Sequence, residues 1–582
     1  MTSKLKNFIP ILLLILVVTN VACDSTSNRG DNGQSGPIQR NLFVREVRGL
    51  PEITAEATTE TYEVYFHIPI SFEEQVPVLV EVECPQLIDY RFIHMAPPNV
   101  MLVTRLRRAP HTYLTWRSWV IVKEDNCLRP AQSESIPIPS LDRLPDWTEK
   151  WLQSTSCIQV DAPIVREIAA SLRSNSSDLI ELTENIVSRC NDIESRFLRY
   201  PWSLDAVYAL QWGSSCTGKA HAAAALFRAN GVPARSLLEI DAGLGRALYS
   251  HWVVDYYIPG CGWIKMGPSR GWPFLSAGSV VVIMASNPHN EFPLFFRGTE
   301  GYWHTSDPSL GLGNPYLDGV HAALKTAIVV TSDEKIEQAH SLTQSVFHYY
   351  TNYWGIHLSP DQQAHLDTAF NFQSKALANI IDSDIDNYIA NIQEALNYYE
   401  RVNPEPIQNL LFDDFENGNY GWTHGGAGDE WELGIPTHGA TQAYSGVKCW
   451  GTDLDDTYEN NSDCWLLSPP IDLENLACAY LSFWVFNWVH DEGVRIVHDP
   501  LWLDITTDGT TFYPLCSQMT GVNDEPEIPD TGGWTEMVLD LTKYVDHKVR
   551  IRFRLQSDEF ITRPGSFIDD VRVYGRSAPG NI

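Results

Sequence analysis

The chain has 582 residues, an apolar content of 44% and a formal net charge of −32. At about 100–200 residues per domain, this length predicts several domains with sizeable cores. The acidic balance excludes a general nucleic-acid binder, because phosphate backbones repel negative charge, and it favours a soluble, exported or cation-binding protein.

The first residues have the pattern of a bacterial export signal. Lys4 and Lys6 precede an apolar stretch at 9–18 that is too short to span a membrane comfortably. We therefore predict a signal peptide at 1–22 and an exported protein.

The residues that follow resemble a lipobox. Val21 and Ala22 precede Cys23, which would be lipidated after cleavage, although Asn20 stands where leucine is usual. An ordinary cleaved signal with a spare cysteine is the alternative. The polar residues at 23–40 predict a flexible tether that joins the protein to the bacterial cell envelope through its lipid anchor.

Alternating strands follow the tether. Segments such as VPVLVEV and TYLTWRSWVIVKE are separated by turn residues, a pattern that is typical of a β-sandwich. We assign this N-terminal β-sandwich to 41–139, with a role in spacing or docking.

The central part of the chain places a cysteine before a helix and a histidine in a strand. Cys216 follows a Gly-Ser-Ser loop and precedes an alanine-rich helix that should stop at Asn230-Gly231. At a helix N-terminus, the dipole and the free backbone N–H groups stabilise a thiolate. Residues 250–258 alternate as a strand that carries His251. This layout suits a nucleophile and its base.

Three motifs of this stretch together resemble the transglutaminase-like superfamily. They are G-x-x-C before the helix, GVPAR after it, and HWVVDYYIPGCGWI around the histidine. The resemblance implies an α+β core, which we place at 140–290, and papain-like Cys-His-Asp chemistry without a catalytic cofactor. Cys216 would be the nucleophile and His251 the base. Gln211 would help to polarise the oxyanion, as an amide does in papain-like sites.

The third member of the triad is missing from its usual place. The family pattern W-x-x-x-D-P-[ST] corresponds here to WIKMGPS, in which Gly267 occupies the aspartate position. Asp255 shares the strand face of His251, but four residues of strand span about 13 Å, too far for a hydrogen bond. Asp307 also precedes a Pro-Ser pair, but it lies much further along the chain. A backbone carbonyl, an amide or water could take the vacant place.

A connector at 291–408 is predicted to be irregular at first and then helical. Ser332 and Ser359 have the positions of helix N-caps. No chemistry is assigned to this part.

The last part of the chain, 409–576, consists of strand-like segments. Segments such as AYLSFWVFNWV and KVRIRFRLQSD resemble the MAM-like jelly-roll domains that follow secreted metallopeptidases of the immune-inhibitor type. The resemblance implies two packed antiparallel sheets used for adhesion or substrate targeting, with a cell-surface glycan or protein as ligand. Trp422, Trp450 or Trp488 could stack on sugars, although most tryptophans of a sandwich are core residues.

Acidic residues cluster at both ends of this all-β domain. If the first and last strands are neighbours, their carboxylates would gather into a Ca²⁺ site, since Ca²⁺ takes six to eight oxygen ligands. A solvated acidic face is the alternative. The predicted ligands are Asp413, Asp414, Glu416, Asp569 and Asp570.

The sequence thus predicts a multidomain, exported cysteine enzyme acting on protein or peptide amides through a thioester, with hydrolysis favoured over cross-linking. The competing hypothesis is a degenerate core that serves as a scaffold for the jelly-roll domain. Position 267 separates the two hypotheses, because a triad without its third member loses much of its rate.

Overall fold

The structure is a computed structural model. It describes residues 39–49, 52–54, 60–95, 98–109, 111–123, 135–140, 143–155, 157–195, 205–240, 250–259, 262–271, 280–284, 303–305, 320–490, 498–515, 527–528, 530–531 and 533–578. The predicted signal peptide, Cys23, Asp307 and all but the last two residues of the predicted tether lie outside these ranges. In the part that is described, no helix has both the length and the apolar character needed to cross a bilayer.

Eight strands come first in the chain, in the region predicted to be a β-sandwich. They are β1 (Gln39–Gly49), β2 (Glu52–Thr54), β3 (Thr61–His67), β4 (Gln75–Glu83), β5 (Leu87–His94), β6 (Val100–Arg107), β7 (His111–Tyr113) and β8 (Thr115–Lys123). One sheet contains the order β1-β8-β4 and another the order β3-β6-β5, while β2 pairs with β7. The rings of Phe66 and Trp116 meet between the two larger sheets, with centroids 6.3 Å apart.

Helices and a second kind of sheet follow. A 3₁₀ helix, Asp146–Leu152, precedes four α-helices, and four antiparallel strands complete the region in the order β11-β10-β9-β12. The elements are α1 (Pro163–Ser174), α2 (Leu179–Asn191), α3 (Ala206–Trp212), α4 (Cys216–Ala229), β9 (Ala234–Ile240), β10 (Ser250–Ile258), β11 (Gly262–Met266) and β12 (Val280–Met284). This is the α+β core that the order of helices and strands predicts.

The connector differs from its prediction in its first part. Two strands, β13 (Trp303–Thr305) and β14 (Val320–Ser332), return to the N-terminal sheets, where β13 pairs with β3 and β14 with β1. The prediction of an irregular segment was wrong here because strand pairing across such a long separation leaves no local signal. Three helices follow as predicted: α5 (Asp333–Tyr353), α6 (Pro360–Ile381) and α7 (Ile385–Val402).

The C-terminal part is built from two antiparallel sheets around a common apolar core. In β26 the burial pattern alternates strictly, so that one face packs inward and the other remains partly exposed. The strands are β15 (Ile407–Asp413), β16 (Thr423–Ala427), β17 (Trp431–Gly434), β18 (Cys449–Thr452), β19 (Asp463–Leu467), β20 (Ile471–Asp472), β21 (Leu476–Trp488), β22 (Leu501–Thr506), β23 (Tyr513–Pro514), β24 (Glu527–Ile528), β25 (Thr535–Asp540), β26 (Lys548–Gln556) and β27 (Gly565–Ser577).

The N-terminal sheets support the α+β core directly. The amide of Gln75 makes two hydrogen bonds of 2.8 Å with the backbone of Val281 in β12. Apolar contacts between Phe72, Leu237 and Val253 lie beside this pair. The sheet that carries His251 therefore rests on the N-terminal sheets by one face and packs against α4 by the other.

Candidate active site

The helix that carries the predicted nucleophile begins where the sequence indicates. Cys216 is the first residue of α4, Ser215 is its N-cap, and the thiol is half-buried. The helix ends at Ala229, and Gly231 then adopts a positive φ of 75°, a conformation that favours glycine. The prediction of Cys216 at a helix N-terminus is confirmed.

The same helix packs along the strand that carries the predicted base. The ring of Phe227 stacks on Tyr256 with centroids 4.7 Å apart. Nearer the start of the helix, the ring centroid of His221 lies 6.0 Å from that of Trp252. These two contacts show that α4 and β10 run in the same direction. Cys216 and His251 consequently lie at the same end of the pair, and His221 is a buried packing residue.

The imidazole of His251 is held by a residue that follows the predicted triad position. Ser269 Oγ lies 2.6 Å from His251 Nε2. Ser269 belongs to a 3₁₀ turn, Pro268–Arg270, that follows β11 and is closed by a 3.1 Å hydrogen bond from the Arg270 N–H to the Gly267 carbonyl. Ser269 was not among the residues predicted for the site, although it occupies the Ser/Thr position of the W-x-x-x-D-P-[ST] pattern, which was an available signal.

The other residues considered for the site have different positions. Gly267 is buried and has no side chain to offer His251. The Asp255 carboxylate instead accepts hydrogen bonds of 3.2 and 3.1 Å from the guanidinium of Arg235, and burial raises its pKa to about 6. Gln211 is exposed in the last turn of α3. Its proposed role at the oxyanion stays a prediction.

A lysine near the nucleophile was also missed by the sequence analysis. Lys219 lies one turn after Cys216 and is 3% exposed, with its ammonium donating to the Asn191 carbonyl at 3.2 Å. Burial lowers the pKa of Lys219, while negative charge on Cys190, Asp192 and Cys216 opposes that shift. A side chain on Gly271 would contact the Asn191 amide at 3.4 Å, so the turn that carries Ser269 lies close to the first turn of α4.

Similarity to known proteins agrees with this arrangement. Residues 166–268 match the model of the transglutaminase-like superfamily. This part of the chain is a transglutaminase-like domain. Cys216 and His251 both lie within it, and so does Gly267, whereas Ser269 follows the matched range by one residue.

Individual relatives cover different shares of the chain. Bacillopeptidase F of Bacillus subtilis (strain 168) is 30% identical over 165 residues, which is 28% of this chain and 11% of that protein. The chain therefore spans about a tenth of the length of that curated relative. A candidate cysteine protease from Cytophaga hutchinsonii shares 13% identity and a TM-score of 0.35, covering 51% of this chain and 92% of its own. The K3 adhesin domain of Lys-gingipain from Porphyromonas gingivalis W83 shares 16% identity and a TM-score of 0.20, covering 29% and 99%.

The predicted calcium ligands gather where β15 ends and in the first half of β27, which are paired strands. Asp413 lies opposite Val571, and negative charge on Asp414 and Glu416 helps burial to raise the pKa of Asp570. The five residues do not share one environment, because Asp413 accepts a hydrogen bond from the Trp422 indole. Glu416 in turn accepts hydrogen bonds from the Val447 and Lys448 N–H groups, and the calcium site stays a prediction.

Proposed function

We propose that the transglutaminase-like domain is a cysteine-dependent acyl-transfer enzyme that acts on protein or peptide amides. The supporting observation is the meeting of three elements: the N-terminus of α4 with Cys216, the start of β10 with His251, and the turn whose Ser269 is bonded to His251 at 2.6 Å. A nucleophile at a helix N-terminus and an oriented base at the same end are what covalent catalysis requires.

The chemistry follows from these positions. His251 takes the proton of the Cys216 thiol, and the thiolate attacks the substrate carbonyl carbon to form a tetrahedral oxyanion. Backbone N–H groups at the start of α4 would stabilise that charge. The imidazolium then gives its proton to the leaving amine, and a thioester remains on Cys216. Water that attacks the thioester releases an acid, whereas an amine forms a new amide; we propose that hydrolysis is the main outcome.

The nucleophile and its base are tested by alkylation of the intact protein. We expect iodoacetamide to modify the Cys216 peptide at a pH well below that of a free thiol, and His251→Ala to move the profile to higher pH. Cys84 serves as an internal control, because it is also half-buried and burial raises its pKa. Coincident Cys216 profiles in wild type and His251→Ala, at the free-thiol value of about 8.5, would contradict the proposal.

The glycine at position 267 favours a second candidate function. Glycine there removes the carboxylate that the family pattern places at this point, which would leave the core as a scaffold and the C-terminal domain as the binding part. Among the tryptophans considered for sugar stacking, Trp422 and Trp450 are buried, whereas Trp488 is 47% exposed at the end of β21. Exposed indoles stack on sugar rings.

We propose that Trp488 contributes to a glycan-binding surface of a MAM-like jelly-roll domain. Trp488→Ala should weaken retention of the protein on immobilised bacterial and host oligosaccharides several-fold, while Tyr513→Ala, at another exposed aromatic of the same domain, should not. Equal retention of wild type and Trp488→Ala would contradict a role of Trp488 in glycan binding.

A further inference from the structure

We infer that Ser269 positions the imidazole of His251 in place of the carboxylate missing at Gly267. This inference rests on the proposed function, since it concerns the base of the same reaction. Ser269 acts through His251 and is therefore a positioning residue. The observation that carries it is the 2.6 Å contact between Ser269 Oγ and His251 Nε2.

The pairing of β10 with β11 explains why the chain returns to the ring. In this antiparallel pair, Val254 lies opposite Met266, the last residue of β11, and Asp255 lies opposite Lys265. The chain then continues towards the start of β10 and enters the 3₁₀ turn Pro268–Arg270. In this turn, the short hydroxyl side chain of Ser269 reaches His251 Nε2.

The turn keeps the hydroxyl in this place. Pro268 fixes its own φ, and the Arg270 N–H closes the turn on the Gly267 carbonyl at 3.1 Å. On its far side, Gly271 lies against the Asn191 side chain. The Ser269 backbone is consequently held between β11 and the end of α2.

The contact suits the tautomer in which Nδ1 acts as the base. A hydroxyl both donates and accepts, so Ser269 Oγ can accept the Nε2–H of the neutral ring. In that tautomer, Nδ1 carries the lone pair that takes the proton of Cys216. In the resulting imidazolium, Nε2–H still donates to Ser269, which keeps its own proton throughout. Because the hydroxyl is neutral, it orients the ring but stabilises the imidazolium less than a carboxylate would.

A buried carboxylate on the other side of the ring provides the competing explanation. Glu239 of β9 lies opposite His251 in register and is 1% exposed. If Glu239 oriented the ring instead, Glu239→Gln would lower turnover and Ser269→Ala would not.

The experiment compares variants of the full chain on a peptide amide substrate, with alkylation of the Cys216 peptide as a second readout. Ser269→Ala should lower kcat about tenfold or more, with little change in KM. This loss is part of the rate increase of about 10²–10⁴-fold that a positioned base supplies. Ser269→Thr keeps the hydroxyl and should restore most of kcat. Ser171→Ala, which removes an exposed hydroxyl from α1, is the matched control and should behave as wild type.

A rescue variant makes the test independent of local packing. Gly267 has a φ of −108°, which an L-residue adopts without strain, and it occupies the aspartate position of the family pattern. Adding Gly267→Asp to Ser269→Ala should therefore recover kcat and lower the pH at which Cys216 is alkylated. A defect that neither Ser269→Thr nor Gly267→Asp relieves would identify a packing fault and overturn the inference.

The role of Ser269 and the proposed function are tested by different outcomes. If wild type turns over the substrate and Ser269→Ala has the same kcat, the Ser269 inference is overturned and the proposed function stands. If wild-type Cys216 neither turns over substrate nor responds to His251→Ala, the proposed function itself fails.

Discussion

At the scale of single residues, the positive charge of Lys219 lies one helical turn from Cys216 and affects its thiol. Lys219 is buried on the first turn of α4, and its ammonium makes a hydrogen bond to the Asn191 carbonyl. Because negative charge on Cys216 favours the protonated form of Lys219, the positive charge of Lys219 favours the thiolate in return.

We expect Lys219→Met to slow alkylation of Cys216 several-fold near neutral pH, since a rise of one pKa unit reduces the thiolate fraction about tenfold. The measurement is the pH profile of iodoacetamide modification at the Cys216 peptide. Lys150→Met, at an exposed lysine of the preceding 3₁₀ helix, is the control. Equal profiles for all three proteins would show that Lys219 serves packing alone.

Local features around the site were predictable from the sequence, whereas its cross-strand contacts were not. The start of α4 at Cys216 and the bounds of β10 follow from a loop, an alanine-rich run and a stretch rich in Val, Tyr and Trp, all of which are signals within a few residues. The contact between Ser269 and His251 and the proximity of Lys219 to Asn191 depend on register and helix packing. Those depend on residues far apart in the chain, and one sequence does not specify them.

At the scale of elements, one arginine joins the N-terminal sheets to the C-terminal domain. Arg91 of β5 donates to the Asp540 carboxylate of β25 at 2.6 Å and lies 2.9 Å from Glu63 of β3. The side chains of Arg91 and Asp540 are 11% and 1% exposed. Val538 packs against the same sheet, among residues that include Tyr65 and Met101.

Arg91→Met should therefore be strongly destabilising, by about 3–5 kcal/mol, because it leaves two carboxylates buried without their cation. Arg105→Met is the matched control, since Arg105 lies in the same sheet and its ion pair with Asp89 is solvent-exposed, and such pairs contribute about 0–1 kcal/mol. Urea unfolding of the three proteins measures the difference. If Arg91→Met lowers the free energy of unfolding no more than Arg105→Met does, the contact between Arg91 and Asp540 contributes little to stability.

The carboxylates beside the paired strands β15 and β27 should make the stability of the C-terminal domain depend on pH. Burial raises the pKa of Asp569 to about 7, while hydrogen bonds from the Ser445 and Asp570 N–H groups oppose the shift. The folded state therefore binds this proton more tightly than the unfolded state. The stabilisation of the folded state that the Asp569 proton contributes is fully present below about pH 4 and is lost as pH rises through about 7.

In chelator, we expect Asp569→Asn to be less sensitive than wild type to a change from pH 5 to pH 8, because the amide cannot ionise. Calcium should raise the stability of wild type more at pH 8 than at pH 5, by about 2.7 kcal/mol at a hundredfold excess over its Kd. Asp472→Asn, at an exposed carboxylate of the same domain, is the control. Melting curves that coincide with calcium and with chelator at both pH values would assign the acids to a solvated face.

At the scale of the whole molecule, the predicted anchor determines where the active site would work. A diacyl group on Cys23 would hold the chain at a membrane, for which more than one acyl chain is needed. We expect wild type to sediment with membranes and Cys23→Ser to be recovered in the soluble fraction, with equal total amounts on immunoblots. Recovery of wild type in the soluble fraction alone would favour the ordinary cleaved signal.

The two strands that return from the connector have a consequence for how the chain is made. β1 pairs on one side with β8 and on the other with β14, which joins Gln39 to Ser332. Until residue 332 has been synthesised, one edge of β1 remains open, and an open edge is a template for association with other chains. The transglutaminase-like domain would thus emerge before its support is complete. Truncations that end between the core and β14 should therefore aggregate, whereas the full chain should not.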